Sequence, residues 1–454
     1  MNFKRHALKN LERWKASKNR KPLILRGARQ VGKTTLVKEF AKSYKNHIFL
    51  NLEKSADVAV FETYDNVETL VEALFLSNNI SPKEQGSTLL FIDEIQELPK
   101  AIQSLRYFFE EVSDLNVIAA GSLLEFAMKD VESFPVGRIE YLYLYPLNFQ
   151  EYLEAIQHTA ALEQLNSIPI KPVAHKTLLD LFHRYAIVGG MPEIVKTDIE
   201  YSNLAELPKV YESIWGTYKN DVEKYASGTS ERRVIKHIMD TAHLYIDQRI
   251  KFQNFGNSNY KSREVGEAMR NLDAAKIIQL IYPTTDIEHP IKPDIKKSPR
   301  LQFLDTGLVN YTLEIQARML GMEDLSNTFK GAIIPHLITQ EVKSLNTITN
   351  TKPNFWIREK KQSSSEVDLV YPFGDKIIPI EIKSGATGTL KSLHQFMDRT
   401  DHPYAIRIYA GEFKIENSIT IEGTPFLLMN LPYYLGTQLP KYIEYFVSNY
   451  NLKQ

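Results

Sequence analysis

Gly27-Ala28-Arg29-Gln30-Val31-Gly32-Lys33-Thr34 satisfies the pattern G-x-x-x-x-G-K-[ST] at every specified position. Just before it, Pro22-Leu23-Ile24-Leu25-Arg26 is short and apolar and predicts a buried strand. Just after it, Thr35-Leu36-Val37-Lys38-Glu39-Phe40-Ala41 predicts a helix with Leu36, Val37 and Phe40 on one side. Strand, Gly-containing loop and helix, in that order, are the setting in which this pattern cradles phosphates. Gly27 and Gly32 permit backbone conformations that a side chain would block. The loop amides and the helix N-terminus can then face an anion together. Lys33 is expected to reach the β- and γ-phosphates, and the Thr34 hydroxyl to sit on Mg²⁺. The expected ATP-binding set is Gly27, Ala28, Arg29, Gln30, Val31, Gly32, Lys33, Thr34 and Thr35.

A second stretch completes the nucleotide reading. Thr88-Leu89-Leu90-Phe91-Ile92-Asp93-Glu94 is an apolar run ending in two acids and predicts a parallel strand buried on both faces. Acids at the carboxyl end of such a strand lie where open α/β sheets bind ligands. Asp93 is the expected Mg²⁺ holder, directly or through water, and Glu94 the expected general base toward the attacking water. A third strand, Asn116-Val117-Ile118-Ala119-Ala120, ends at Gly121-Ser122, where Ser122 is read both as a γ-phosphate sensor and as a helix N-cap. Gly137-Arg138 precedes a further strand, Ile139–Leu144. Arg138 is read as a γ-phosphate contact in its own chain or a neighbour's, with a plain surface arginine as the equal alternative.

Composition sets the limits. At 454 residues the chain exceeds one core, and length alone suggests about three domains. Fifty-five Lys and Arg balance 55 Asp and Glu, so any nucleic-acid site has to be a local patch. The absence of cysteine excludes disulfides, thiolate zinc sites and cysteine nucleophiles, and fits a cytoplasmic setting. No apolar run is long enough to cross a bilayer, and no targeting segment or membrane partner is expected.

Elsewhere the residues give coarser expectations. Lys4, Arg5, Lys9, Arg13, Lys15, Lys18, Arg20 and Lys21 surround Leu8, Leu11 and Trp14 at helical spacing. A solvated helix packing its apolar stripe is favoured there over a phosphate-backbone contact. Residues 151–225 read mostly as helices, a lid that feels nucleotide state. Gly189-Gly190-Met191-Pro192 marks a sharp turn, for which a plain helix terminator is preferred over a hinge. Helices near 232–245 and 262–272, then strands 277–282 and 301–304 around a basic loop with Lys292, Lys296, Lys297 and Arg300, resemble a winged helix. DNA is its candidate partner through Arg263 and Arg270, although Glu264 and Glu267 share the helix and would repel phosphate.

Two strands near the C-terminus carry a second constellation. Glu366-Val367-Asp368-Leu369-Val370-Tyr371 pairs in expectation with Lys376–Lys383, so that Asp368, Glu381 and Lys383 converge. Two carboxylates and a lysine suit metal-assisted phosphodiester hydrolysis. The arrangement resembles the PD-(D/E)XK nuclease core, with one departure. Where related domains carry a helical acid, Gly331-Ala332-Ile333-Ile334-Pro335 has Pro335, and Glu341 lies out of register. A nuclease-like fold kept as a binding platform is therefore preferred over an active nuclease.

The phosphate loop, Phe91–Gln96, Ala120-Gly121-Ser122, Gly137-Arg138, Pro146–Tyr152, Gly189–Glu193 and Phe303–Leu308 together resemble AAA-type ATPases of bacteria and archaea with an uncharacterised C-terminal domain. The resemblance implies ATP binding with Mg²⁺, makes Ser122 a sensor candidate and makes Arg138 an arginine-finger candidate, with oligomers open. The expected fold class is α/β: an AAA-type parallel-sheet core at 1–150, a helical lid at 151–230, a winged-helix-like segment at 231–320 and a nuclease-like α/β domain at 321–454. The expected function is Mg²⁺-dependent ATP hydrolysis that switches the attached domains, with nucleic acid as a candidate target. Two alternatives stand beside it: a metal-dependent DNA nuclease regulated by ATP, and a nucleotide-bound interaction module without catalysis.

Overall fold

The computed structural model describes residues 3–122, 135–226, 228–322, 324–325, 328–329, 331–360, 363–382 and 390–452. The chain forms two compact units. The first comprises Met1–Pro146 with the short segments Ala274–Ile277 and Asn346–Asn350; the second comprises the rest.

The first unit is a five-stranded parallel sheet with helices on its faces. Its strands are β1 (Leu23–Arg26), β2 (Asn46–Asn51), β3 (Thr88–Asp93), β4 (Asn116–Gly121) and β5 (Glu140–Tyr143), in the order β2-β3-β4-β1-β5. Every residue of β1, β3 and β4 is buried. That is why their sequences are continuous apolar runs without alternation. Leu90, Ile92, Val117 and Ala119 pack on Ile102, Leu105 and Phe108 of helix Pro99–Glu110 within one core. The topology places the tip of β4 between the tips of β1 and β3. The loop after β1 and the acids after β3 thus flank Gly121-Ser122.

The basic N-terminal segment is a helix, α1 (Ala7–Ala16), that buries Ala7, Leu11 and Trp14. It lies on α2 (Lys33–Ala41), with Trp14 and Phe40 ring centroids 6.4 Å apart. Lys15 Nζ stands 3.8 Å over the Tyr44 ring. The packed, solvated helix is the reading that fits. Arg5 departs from it: the residue is buried, and its guanidinium donates to Val31 O at 2.9 Å and Tyr145 O at 2.6 Å.

The second unit begins with helices and ends in a seven-stranded mixed sheet. Helix Thr229–Thr241, helix Ser262–Ala274 and the antiparallel pair β6 (Ile278–Ile281) and β8 (Arg300–Phe303) follow the expected order of a winged helix. The chain between the two strands does more than form a tip. Its β7 (Pro283–Thr284) pairs in parallel with β9 (Asn354–Lys360) and becomes an edge of the large sheet. The remaining strands are β10 (Ser363–Phe373), β11 (Lys376–Ile382), β12 (Tyr404–Tyr409), β13 (Lys414–Ile419) and β14 (Pro425–Pro432), in the order β13-β14-β12-β11-β10-β9-β7. Trp356, Val367, Ile377, Phe396 and Phe426 share its core with helix Lys391–Met397.

Three sequence signatures turn out to be joints of this unit. Gly189 ends helix His175–Val188 at φ 80°, and a Cβ there would stand 2.3 Å from Asp305 Oδ1. Asp305 is buried, caps helix Thr306–Thr312 through Leu308 N and accepts from Gly190 N at 2.6 Å. A Cβ on Gly307 would be 2.0 Å from Val188 O. Two helix ends therefore meet backbone to backbone, which explains the glycines better than a hinge does. Asn148 and Glu151 form a capping box on helix Phe149–Ala155. Glu341, out of register for a metal site, accepts from Phe149 N at that same helix start and from Tyr185 Oη at 2.7 Å.

Adding a methyl should thus act oppositely at two glycines of this unit. Gly307→Ala is expected to cost about 2 kcal/mol or more through overpacking against main chain. Gly216→Ala, in open space within helix Leu207–Tyr225, is expected to stabilise by about 0.5–1 kcal/mol. Urea midpoints of the two variants check this pair.

Burial pushes the Glu341 carboxyl up to about 8, against the hydrogen bonds from Tyr185 and Phe149. Between the unfolded value and about 8 the native chain holds a proton that the unfolded chain has released. Stability from this group is therefore full at acid pH and is lost as pH rises through about 8. Thermal midpoints of Glu341→Gln, measured from pH 6 to about 9, are expected to fall less steeply than those of the parent.

Candidate functional site

The phosphate loop is shaped by backbone that few side chains tolerate. Gly32 caps α2 at φ 94°, Gln30 also has positive φ at 62°, and Gly27 lies at φ 157°. A Cβ on Gly27 would meet Leu144 O at 2.3 Å, so the loop starts hard against the chain leaving β5. Arg5, holding Val31 O and Tyr145 O, fixes the far side of the same loop.

Lys33 is buried, and its amine donates to Gly27 O at 3.0 Å and Ala28 O at 2.9 Å. Burial pushes its pKa down to about 8, opposed by the charges of Glu94 and Asp93. An incoming triphosphate offers this amine better acceptors than two carbonyls, since hydrogen bonds to charged oxygen are stronger. Next to it, Thr34 Oγ1 donates to Asp93 Oδ2 at 2.7 Å, joining the loop to the end of β3. Burial raises the Asp93 carboxyl, while the hydrogen bond from Thr34 pulls the other way. A hydroxyl and a carboxylate adjacent at the mouth of a phosphate loop suit Mg²⁺, which takes few protein ligands beside substrate phosphates.

Glu94 follows in a left-handed conformation, φ 52° and ψ 44°, which turns the chain sharply at the end of β3. Its Oε2 accepts from Gln96 Nε2 at 2.6 Å. Ser122, at the tip of β4, is buried, and its hydroxyl finds no hydrogen-bond partner among the described residues. The helix that Ser122 was expected to cap lies outside the described residues. Arg138 is exposed, and its Nε sits 2.8 Å from Glu110 Oε1 at the end of helix Pro99–Glu110. Arg29 reaches toward Glu53, with Nη2 to Oε1 at 3.8 Å.

In the C-terminal constellation, Asp368 already has partners of its own. β10 and β11 are antiparallel with Leu369 opposite Ile380, a register that continues to Asp368 opposite Glu381. Asp368 Oδ2 accepts from Ile382 N at 2.9 Å, and Asp368 Oδ1 stands 3.5 Å from the buried Arg300 guanidinium. Arg300, on β8, also pairs with Glu366 and lies 3.6 Å from Asp247. Burial works against its charge, but the three carboxylates outweigh burial and hold it protonated. The carboxylate a metal would need at Asp368 thus already faces a cation. Lys383 lies outside the described residues, among which no cluster of three or more His, Asp or Glu could hold a metal.

Reading the sequence missed Arg5, Gln96 and Arg300. Arg5 was one basic residue among many, and Gln96 followed the acids without chemistry of its own. Arg300 meets Glu366 and Asp368 across more than sixty positions, a pairing that no local pattern announces.

Family models match three segments. Residues 19–153 match an AAA domain, whereas residues 179–319 and 330–427 each match a domain of unknown function. No protein with a curated description matches the chain by sequence. Among solved structures, a Walker-type ATPase of Pyrococcus abyssi is 14% identical, with 69% of this chain and 96% of that chain covered and a TM-score of 0.44. AMPPCP-bound DnaA from Aquifex aeolicus is 12% identical over 59% of this chain and 87% of that one, with a TM-score of 0.27. The Aeropyrum pernix Orc1 protein in complex with DNA is 15% identical over 70% and 96%, with a TM-score of 0.29. No helix among the described residues is long and apolar enough to cross a membrane. The segment 19–153, with its parallel sheet, its phosphate loop at Gly27–Thr34 and its acids closing β3, thus matches the AAA domain model in sequence and carries a P-loop-type arrangement.

Proposed function

We propose that this protein binds ATP with Mg²⁺ in the crevice at the ends of β1, β3 and β4 and hydrolyses it. The observation that carries the reading is the 2.7 Å contact between Thr34 Oγ1 and Asp93 Oδ2, beside a buried Lys33. The loop amides and Lys33 bind the phosphates, and Lys33 leaves the carbonyls of Gly27 and Ala28 to do so. Thr34 and Asp93 would hold Mg²⁺, which supplies charge neutralisation to the β- and γ-phosphates when bound. Glu94 accepts the proton of the attacking water as general base. Ser122, whose hydroxyl has no hydrogen-bond partner among the described residues, is the group that would register the γ-phosphate. Arg138 stays outside this constellation, on Glu110.

For the second unit the same reading favours a binding platform over a nuclease, because Asp368 is engaged by Arg300. DNA remains the partner to test first. The pairing of Arg263 Nε with Glu267 at 2.9 Å reduces the charge that helix Ser262–Ala274 could offer to phosphates.

Lys33→Ala is expected to abolish binding of a fluorescent ATP analogue. Glu94→Gln is expected to bind ATP like the parent but release phosphate at least about 100-fold more slowly. Parent-like turnover in Lys33→Ala would count against the site.

Phosphate release measured with and without single- and double-stranded DNA, at low and high salt, tests the partner. The platform reading expects the DNA to stay intact with Mg²⁺ or Mn²⁺. Cleavage that disappears in Asp368→Ala would favour the nuclease alternative.

A further inference from the structure

The short turn after β3 brings Gln96 back against Glu94. Because Glu94 takes a left-handed backbone, the 3₁₀ turn Ile95–Glu97 folds over the strand tip, and the Gln96 amide reaches the carboxylate two residues earlier. The face toward Glu94 is the amide NH₂, which donates to Glu94 Oε2 at 2.6 Å and reaches Glu97 Oε1 at 3.4 Å. The other face, Gln96 Oε1, is buried and makes no hydrogen bond among the described residues. It lies against Gly121, where a Cβ would come within 2.4 Å of it. Buried polar atoms are nearly always satisfied, so a side chain present only to stabilise the fold would not leave its carbonyl bare.

We propose that Gln96 is a positioning residue that sets the orientation of the Glu94 carboxylate, and that Gly121 lacks a side chain so that the Gln96 amide can lie there. The inference rests on Glu94 acting as the base. It links the tip of β4, where Ser122 sits, to the proton acceptor at the tip of β3 through one amide group. Gln96 itself touches neither the water nor the phosphate.

Phosphate release kinetics and ATP binding, measured on the full chain, test this. Gln96→Ala is expected to lower kcat roughly tenfold or more, with the ATP dissociation constant held within about threefold. Gly121→Ala displaces only the flexible end of Gln96, so the protein should fold and show a similar fall. The double variant should be no slower than Gln96→Ala alone, because both changes remove one and the same contact. Parent-like kcat in Gln96→Ala, beside an inactive Glu94→Gln, overturns the positioning role and leaves the base in place. Full activity in Glu94→Gln overturns the base assignment and this proposal with it. Additive losses in the double variant also overturn it, since they would mean two separate effects.

Discussion

The hydrogen bond from Thr34 to Asp93 is the constraint on which the first unit turns. It joins the first helical turn after the phosphate loop to the last residue of a strand two places away in the sheet. β4 fills the gap between them, so its tip must stay slender, and Gly121-Ser122 supplies that. Every other feature of the crevice follows from this spacing. Lys33 is buried at the start of α2, Glu94 follows Asp93 in a left-handed conformation, and Gln96 folds into the space beside Gly121.

The second unit relies on a different kind of contact. Main chain approaches main chain at Gly189, Gly190 and Gly307, with Asp305 satisfying the amides that such an approach would strand. Glu341 does the same for the start of helix Phe149–Ala155. These acids are buried and bound to backbone N–H groups, so they serve as fixed acceptors within the packing. Arg300 extends the theme by gathering Asp247, Glu366 and Asp368 around one guanidinium, which ties β8 to β10. Removing one member of such a cluster costs more than the pair contributed, because a buried charge is left without its counterpart.

How much of this was legible depended on the range of the interaction. The loop, its flanking strand and helix, and the apolar run ending at Asp93-Glu94 announced themselves because their physics is local: period, apolar run and glycine placement. The parallel core followed, since strands without alternation must be covered on both faces. The signatures at Gly189–Glu193 and Phe303–Leu308 were visible as motifs, yet not as two halves of one joint, because their meeting is a tertiary fact. The pairing of β7 with β9 was hidden for the same reason, and so was the guanidinium beside Asp368. Arg5 was concealed differently: among eight basic residues, nothing local separates the one that enters the protein from those that stay in water.

The close seat of Gly27 on Leu144 has a mechanical consequence. The carbonyl beneath the glycine belongs to the segment that leads out of the first unit at Pro146, and Arg5 grips the next carbonyl along as well as the loop crest. Loop and exit strand are thereby clamped into one rigid piece of chain. A side chain added at Gly27 would therefore press on the outgoing peptide and not on the loop alone.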